Sequence, residues 1–229
     1  MSVTQAGVWL HFDLGAPLRV LSWSLTNPGL VTSNAMVWRE VKNSDLTPDL
    51  DVNDWYGRAL DEKGWGAAVA FLTSRDISTW VEAKAAVEGV TAHAVATVGL
   101  SNGERVGARV DYSSRDWNGS WGTINVGLKV SEGLSEAGLI ELLAIAVQAR
   151  TAAVIDAGVL LPTGRATGTG TDCIGVAAPE GPTNYAGLHT ALGEAAGRAV
   201  YQAVLQGVKE WRQAYPKAPG IAQEELGWT

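Results

Sequence analysis

The chain is poor in the residues that build redox, metal and nucleic-acid sites. Cys173 is the single cysteine among 229 residues, so no disulfide can form within the chain, which suits a reducing compartment. The three histidines, His11, His93 and His189, stand far apart. No Cys/His cluster has metal-ligand spacing, which predicts no metal site of that kind and leaves open only a carboxylate–histidine site assembled in space. Lysine and arginine form no run, and the net charge of −7 has the wrong sign for a general phosphate-backbone binder. The opening MSVTQAGVWLHFDLG lacks the basic start and long apolar stretch of a signal peptide. The apolar run Leu139–Val147 is too short to span a membrane and continues into Gln148 and Arg150. These absences predict a cytoplasmic protein that binds neither nucleic acid nor membrane.

What the chain has in excess is tryptophan, ten residues against two phenylalanines, and glycine, 27 residues. Tryptophans fill cores, and their rigid faces also suit broad apolar ligands.

The first half reads as strands. Leu18–Leu25 alternates apolar and polar residues, Val8–Phe12 and Ala35–Val41 are weaker strands, and Asn27-Pro28-Gly29 marks a turn. Asn43–Asp54 reads as a loop, with Asn53 or Asp54 capping a short helix to Lys63. Ala67–Leu72 is a short strand. Ser78–Val87 and Val90–Val98 alternate around Glu88-Gly89, the pattern of a hairpin. Asp111–Gly122 is polar and reads as a surface loop. In the second half, Thr123–Val130 is a strand, and Ser135 opens a helix that Gly158 closes. A glycine loop and the strand Ile174–Ala178 follow. A last helix, starting at Tyr185 or His189, runs to Ala214 and is ended by Pro216 and Pro219. The expected fold class is α/β (α+β-like): one domain over residues 1–229, a mixed, mostly antiparallel sheet in the first half, two long helices in the second, and a loosely packed tail at 216–229.

Two stretches carry candidate chemistry. In Gly164–Asp172, three glycines bring backbone close to a ligand while Thr167, Thr169 and Thr171 add hydroxyls. No Gly-Lys-Ser/Thr follows, and the loop precedes a strand rather than opening a helix, so neither nucleotide-loop pattern is met. Asp172 is a candidate general base. In Tyr185–Glu194, His189 lies near a helix start, where the helix dipole favours the neutral ring and hence a base. Glu194, five residues on, pairs with it only if the helix begins after His189. Asn125 is polar within an apolar strand, Asn102 follows the hairpin, and Ser22, Ser24 and Asn27 lie on or after the first strong strand. Cys173 reads as a small core residue.

LRVLSWSL, TVGLSNGERVG, GTINVGLKV, QARTAAVIDAGV, ATGTGTD and YAGLHTALGEAAGRAVYQAV, in this order from Leu18 to Val208, resemble the adenosylcobinamide amidohydrolase family. The resemblance implies an amidohydrolase of corrinoid salvage or remodelling. It would cut the amide between aminopropanol and a corrin side chain, giving adenosylcobyric acid and 1-aminopropan-2-ol. It implies a small-molecule corrinoid partner whose cobalt belongs to the substrate, and no cofactor of the protein's own. A homo-oligomer stays open.

On that reading, Asp172 or His189 activates water, with Glu194 beside it, and Thr171 is the alternative covalent nucleophile. Amides of Gly168–Thr171 form the oxyanion site. Ser22, Asn27, Asn102, Asn125, Thr167, Gly168, Thr169 and Gly170 contact the substrate. A non-catalytic corrinoid binder, and a threonine hydrolase of another amide, are the alternatives.

Overall fold

The computed structural model describes residues 2–111, 122–216 and 222–223. In chain order its elements are β1 (Val3–Ala6), β2 (Trp9–Ser22), β3 (Gly29–Glu40), α1 (Val52–Asp61), β4 (Val69–Thr73), β5 (Val81–Val87) and β6 (Val90–Val98). Then come β7 (Gly103–Glu104), β8 (Ile124–Val130), α2 (Glu136–Asp156), β9 (Val159–Leu161), β10 (Gly164–Arg165), β11 (Gly168–Thr169), β12 (Cys173–Ala178), α3 (Ala191–Ala214) and β13 (Ala222–Gln223). Eight strands form one mixed sheet in the order β4-β3-β2-β12-β8-β6-β5, with β1 beside β2. The β12–β8 and β3–β4 pairs are parallel and the others antiparallel. This is the expected α/β domain.

Local chemistry accounts for the joints. Glu88 (φ 48°) and Gly89 (φ 87°) both take positive φ, as the predicted two-residue hairpin turn between β5 and β6 requires. Ser135 caps α2 by accepting from the Gly138 amide at 3.2 Å, and Gly158 (φ 69°) ends it. Three boundaries differ from expectation. The two predicted N-terminal strands are one strand, β2, interrupted by a bulge between Asp13 and Leu18. Asp51, rather than Asn53 or Asp54, caps α1. Thr190 caps α3, so the helix begins after both Tyr185 and His189. The predicted surface loop Asp111–Gly122 and the tail lie mostly outside the described residues.

The bulge in β2 lets the first strands curl over the centre of the sheet. On one face, α2 and α3 cover β5, β6, β8 and β12 with a core of Leu, Val and Ala. On the other, Met36, Trp38 and Phe71 from β3 and β4 come down onto β8 and β12. They land on Gly127 and Gly175, which are register partners on the two parallel strands. Two glycines side by side make a flat floor on which large rings can lie. α1 seals the outside of the curled half through Tyr56 and Leu60. By length and composition α2 passes for a membrane-crossing helix; here it packs against α3 and β12.

Candidate active site

A cavity of about 610 Å³ opens where the curled β4 meets the first residues of β8 and β12. Its rim is apolar: Trp23, Leu25 and Leu46 are 45%, 44% and 37% exposed. Its wall carries Thr123 just before β8 and Asn125 in it, Gly170–Cys173 leading into β12, and Lys42 just beyond β3. The Trp23 indole N–H donates to the Asp172 carbonyl at 2.8 Å, fixing the ring at the mouth.

Thr171 faces this cavity. Its hydroxyl donates to the Gly122 carbonyl at 3.2 Å and accepts from the Asn102 amide at 3.3 Å. Its own carbonyl accepts from the Thr123 hydroxyl at 2.9 Å. The Asn102 Oδ1 is buried with no partner among the described residues. Asn125 donates to the Leu72 carbonyl at 2.6 Å, tying β8 to the curled strand across the cavity.

Asp172, the candidate general base, is engaged on both carboxylate oxygens. Oδ1 accepts from the Ile124 amide at 3.0 Å and from the Thr169 hydroxyl; Oδ2 accepts from the Thr169 amide at 2.9 Å and pairs with Arg150. A carboxylate held by three hydrogen bonds and a guanidinium, and 6% exposed, anchors the loop; it has little capacity left to take a proton from water. Three of the expected oxyanion amides are likewise engaged. Thr169 N donates to Asp172, Gly170 N to the Asn102 carbonyl and Thr171 N to the Thr169 hydroxyl. Gly168 is where Arg150 and Asp172 meet: a Cβ there would collide with both side chains.

The remaining predicted residues fall elsewhere. Ser22 and Ser24 share a buried hydrogen bond of 2.8 Å. Asn27 donates to the carbonyls of Gly66 and Ala68, pinning its turn to the chain before β4. Thr167 binds the Val106 amide and the Glu104 carbonyl. Ser22, Asn27 and Thr167, the three expected to contact substrate, have these partners and lie off the cavity lining. His189 is exposed on a second cavity of about 520 Å³ with Glu141, Gln148 and Tyr185; no residue lines both. Glu194 pairs with Arg198 rather than with His189. The glycine-rich start of α3 has a packing reason. Gly193 lies against the carbonyls of Ala186 and Gly187, where any Cβ would clash.

Sequence reasoning passed over Arg150 and Trp23 as site residues. Arg150 is the only basic residue in α2, and a lone cation inside an apolar helix is itself a signal of a buried partner.

Cys173 lines the cavity, and burial pushes its thiol up to about 12. At pH 8 the reactive thiolate is therefore scarce, on the order of one part in ten thousand. Iodoacetamide at pH 8 is expected to label the native protein at least tenfold more slowly than the urea-unfolded chain. Equal rates would show that the thiol is neither shielded nor shifted.

The curled sheet and the cavity between its layers define an α/β domain with an apolar-rimmed cavity beside a tightly anchored threonine loop. The adenosylcobinamide amidohydrolase profile matches residues 2–216, and the chain belongs to that family. Among curated protein sequences, none is similar to it. Among the solved structures similar to it are two that match over 87% of this chain and 76% of their own. One is the PH0078 protein from Pyrococcus horikoshii OT3, with 12% identity and a TM-score of 0.42. The other is an L-aminopeptidase D-Ala-esterase/amidase from Ochrobactrum anthropi, with 14% identity and a TM-score of 0.40.

Proposed function

We propose that this protein hydrolyses the amide joining aminopropanol to the corrin side chain of adenosylcobinamide, releasing adenosylcobyric acid and 1-aminopropan-2-ol, in cytoplasmic corrinoid salvage or remodelling. Membership of an amidohydrolase family supports the reaction class. The observation that carries the reading is the meeting, in one cavity, of an apolar rim and a hydroxyl on the lining held by two partners. A corrin is broad and apolar with a fringe of amides. Trp23, Leu25 and Leu46 offer it a face, while Asn125 and Thr123 line the wall its fringe would meet.

In this reading Thr171 is the nucleophile. Its hydroxyl adds to the scissile carbonyl, the amine leaves with the proton, and water then cleaves the ester. With the loop amides engaged, the Lys42 ammonium on the cavity lining is the donor available to the developing oxyanion, and the Asn102 amide acts by holding the Thr171 hydroxyl. Asp172 and His189, the two bases expected from sequence, are respectively saturated with partners and on another cavity. Cobalt arrives with the substrate and takes no part in bond cleavage.

The test is incubation of the purified protein with adenosylcobinamide, followed by chromatography of the corrinoid and detection of free aminopropanol. Stoichiometric release is expected. Tight binding of the corrinoid without release would falsify the enzymatic reading.

A further inference from the structure

We infer that Arg150 is a positioning residue for Thr171, acting through Asp172; this rests on the reading of Thr171 as the reacting group. Arg150 lies on α2, in the helical layer, yet its head leaves that layer to pair with the Asp172 carboxylate. The side chains are 12% and 6% exposed, and burial lowers the guanidinium's affinity for its proton. Among the described residues Asp172 is its one ion-pair partner, and Arg150 Nε is buried with none. Burying such a pair is an expensive way to join a helix to a loop, since well-packed apolar side chains do it as well or better. What this pair supplies instead is direction. Asp172 binds Thr169 on one side and the first residue of β8 on the other. Thr171 sits between Thr169 and Asp172, so its hydroxyl is aimed at Asn102 and Gly122 by a carboxylate that the guanidinium holds still. Gly168 completes the arrangement, because a side chain there would occupy the place where the two charged groups meet.

Removing the guanidinium leaves a buried carboxylate without its counter-charge. The carboxylate must turn toward water, and the loop turns with it. A displacement of about 1 Å at a reacting group costs roughly a hundredfold in rate.

The experiment is a double-mutant cycle on the full chain with Arg150→Met, Asp172→Asn and the pair together, reading kcat and KM for adenosylcobinamide, with the melting temperature as a check on folding. Arg150→Met is expected to lower kcat by about ten- to a hundredfold, the range for residues that orient a reacting group. KM should stay within about threefold, because the apolar rim is untouched. The double variant should lose no more than the worse single variant, and Arg150→Lys should recover part of the rate. Wild-type kcat in Arg150→Met, or losses that multiply, overturns the inference. If Arg150→Met fails to fold, Arg150→Lys replaces it in the same cycle.

A crystal structure of the Arg150 variant reads the same point without activity. Thr171 Oγ1 is expected beyond hydrogen-bond reach of Asn102 Nδ2, and an unmoved Thr171 overturns the proposal. An inactive wild type sinks the assigned reaction, whereas an active wild type with an indifferent Arg150 sinks only this inference.

Discussion

Thr171→Val is expected to lower kcat for aminopropanol release by at least about a hundredfold while leaving KM nearly unchanged. The substitution keeps the β-branched shape and removes one hydroxyl. It deletes the bond to the Gly122 carbonyl at 3.2 Å and the acceptor for the Asn102 amide at 3.3 Å. It leaves the Thr171 carbonyl free to go on accepting from Thr123, so the loop keeps its path. The rim of Trp23, Leu25 and Leu46 that would bind the corrin is also intact. An interaction made with the reacting centre alone shows up in kcat, and loss of a group that transfers a proton or attacks costs at least two orders of magnitude. Thr171→Ser, which keeps the hydroxyl, should retain most of the rate. Equal rates for the valine variant and the wild type would remove Thr171 from the chemistry and return the search to an activated water.

The second large effect concerns stability. Gly127→Val is expected to destabilise the fold by about 3 kcal/mol, the upper end for overpacking a close-fitting core. Its Cβ would stand 2.7 Å from Cη2 of Trp38 and 3.0 Å from Sδ of Met36. The Met36 side chain can bend, but Trp38 is fully buried and its ring has no free space to enter. At roughly 2–4 °C per kcal/mol for a domain of this size, the melting temperature should fall by about 6–12 °C. Because Gly127 and its neighbour Gly175 support the strands whose curl makes the cavity, substrate binding should weaken as well. Gly57→Ala is the control. Its Cβ meets nothing within 4 Å and the residue lies inside α1, so the change should be neutral or stabilising by up to about 1 kcal/mol. A Gly127→Val variant melting with the wild type would show that the curled layer yields freely.

How much of this was legible in the chain depends on how local the cause is. The β5–β6 hairpin could be read because two positive-φ residues must sit between two alternating strands. The helix α2 could be read because Ser135 and Gly158 mark its ends. The start of α3 differs from expectation by a few residues because Gly193 needs the preceding chain, at the carbonyls of Ala186 and Gly187, to cross close over it, a contact that propensity does not register. Asp172 was legible as important, but its part was not: the partners that saturate it come from α2, β8 and β11. Asn27 looked available for substrate because its partners, the carbonyls of Gly66 and Ala68, lie some forty residues away.

By itself the sequence determined the longer strands, the two long helices and the α/β class, since propensity, alternation and glycine spacing act within a few residues. It also carried the family, through motifs spread along the chain. The tertiary structure decided which of those motifs share a cavity. The curl of β2, the glycine floor under Trp38 and the reach of Arg150 into the loop bring Thr171 to the apolar rim and leave His189 on another cavity. Which polar groups are free to react follows from which are already hydrogen-bonded, and that depends on contacts between elements far apart in the chain.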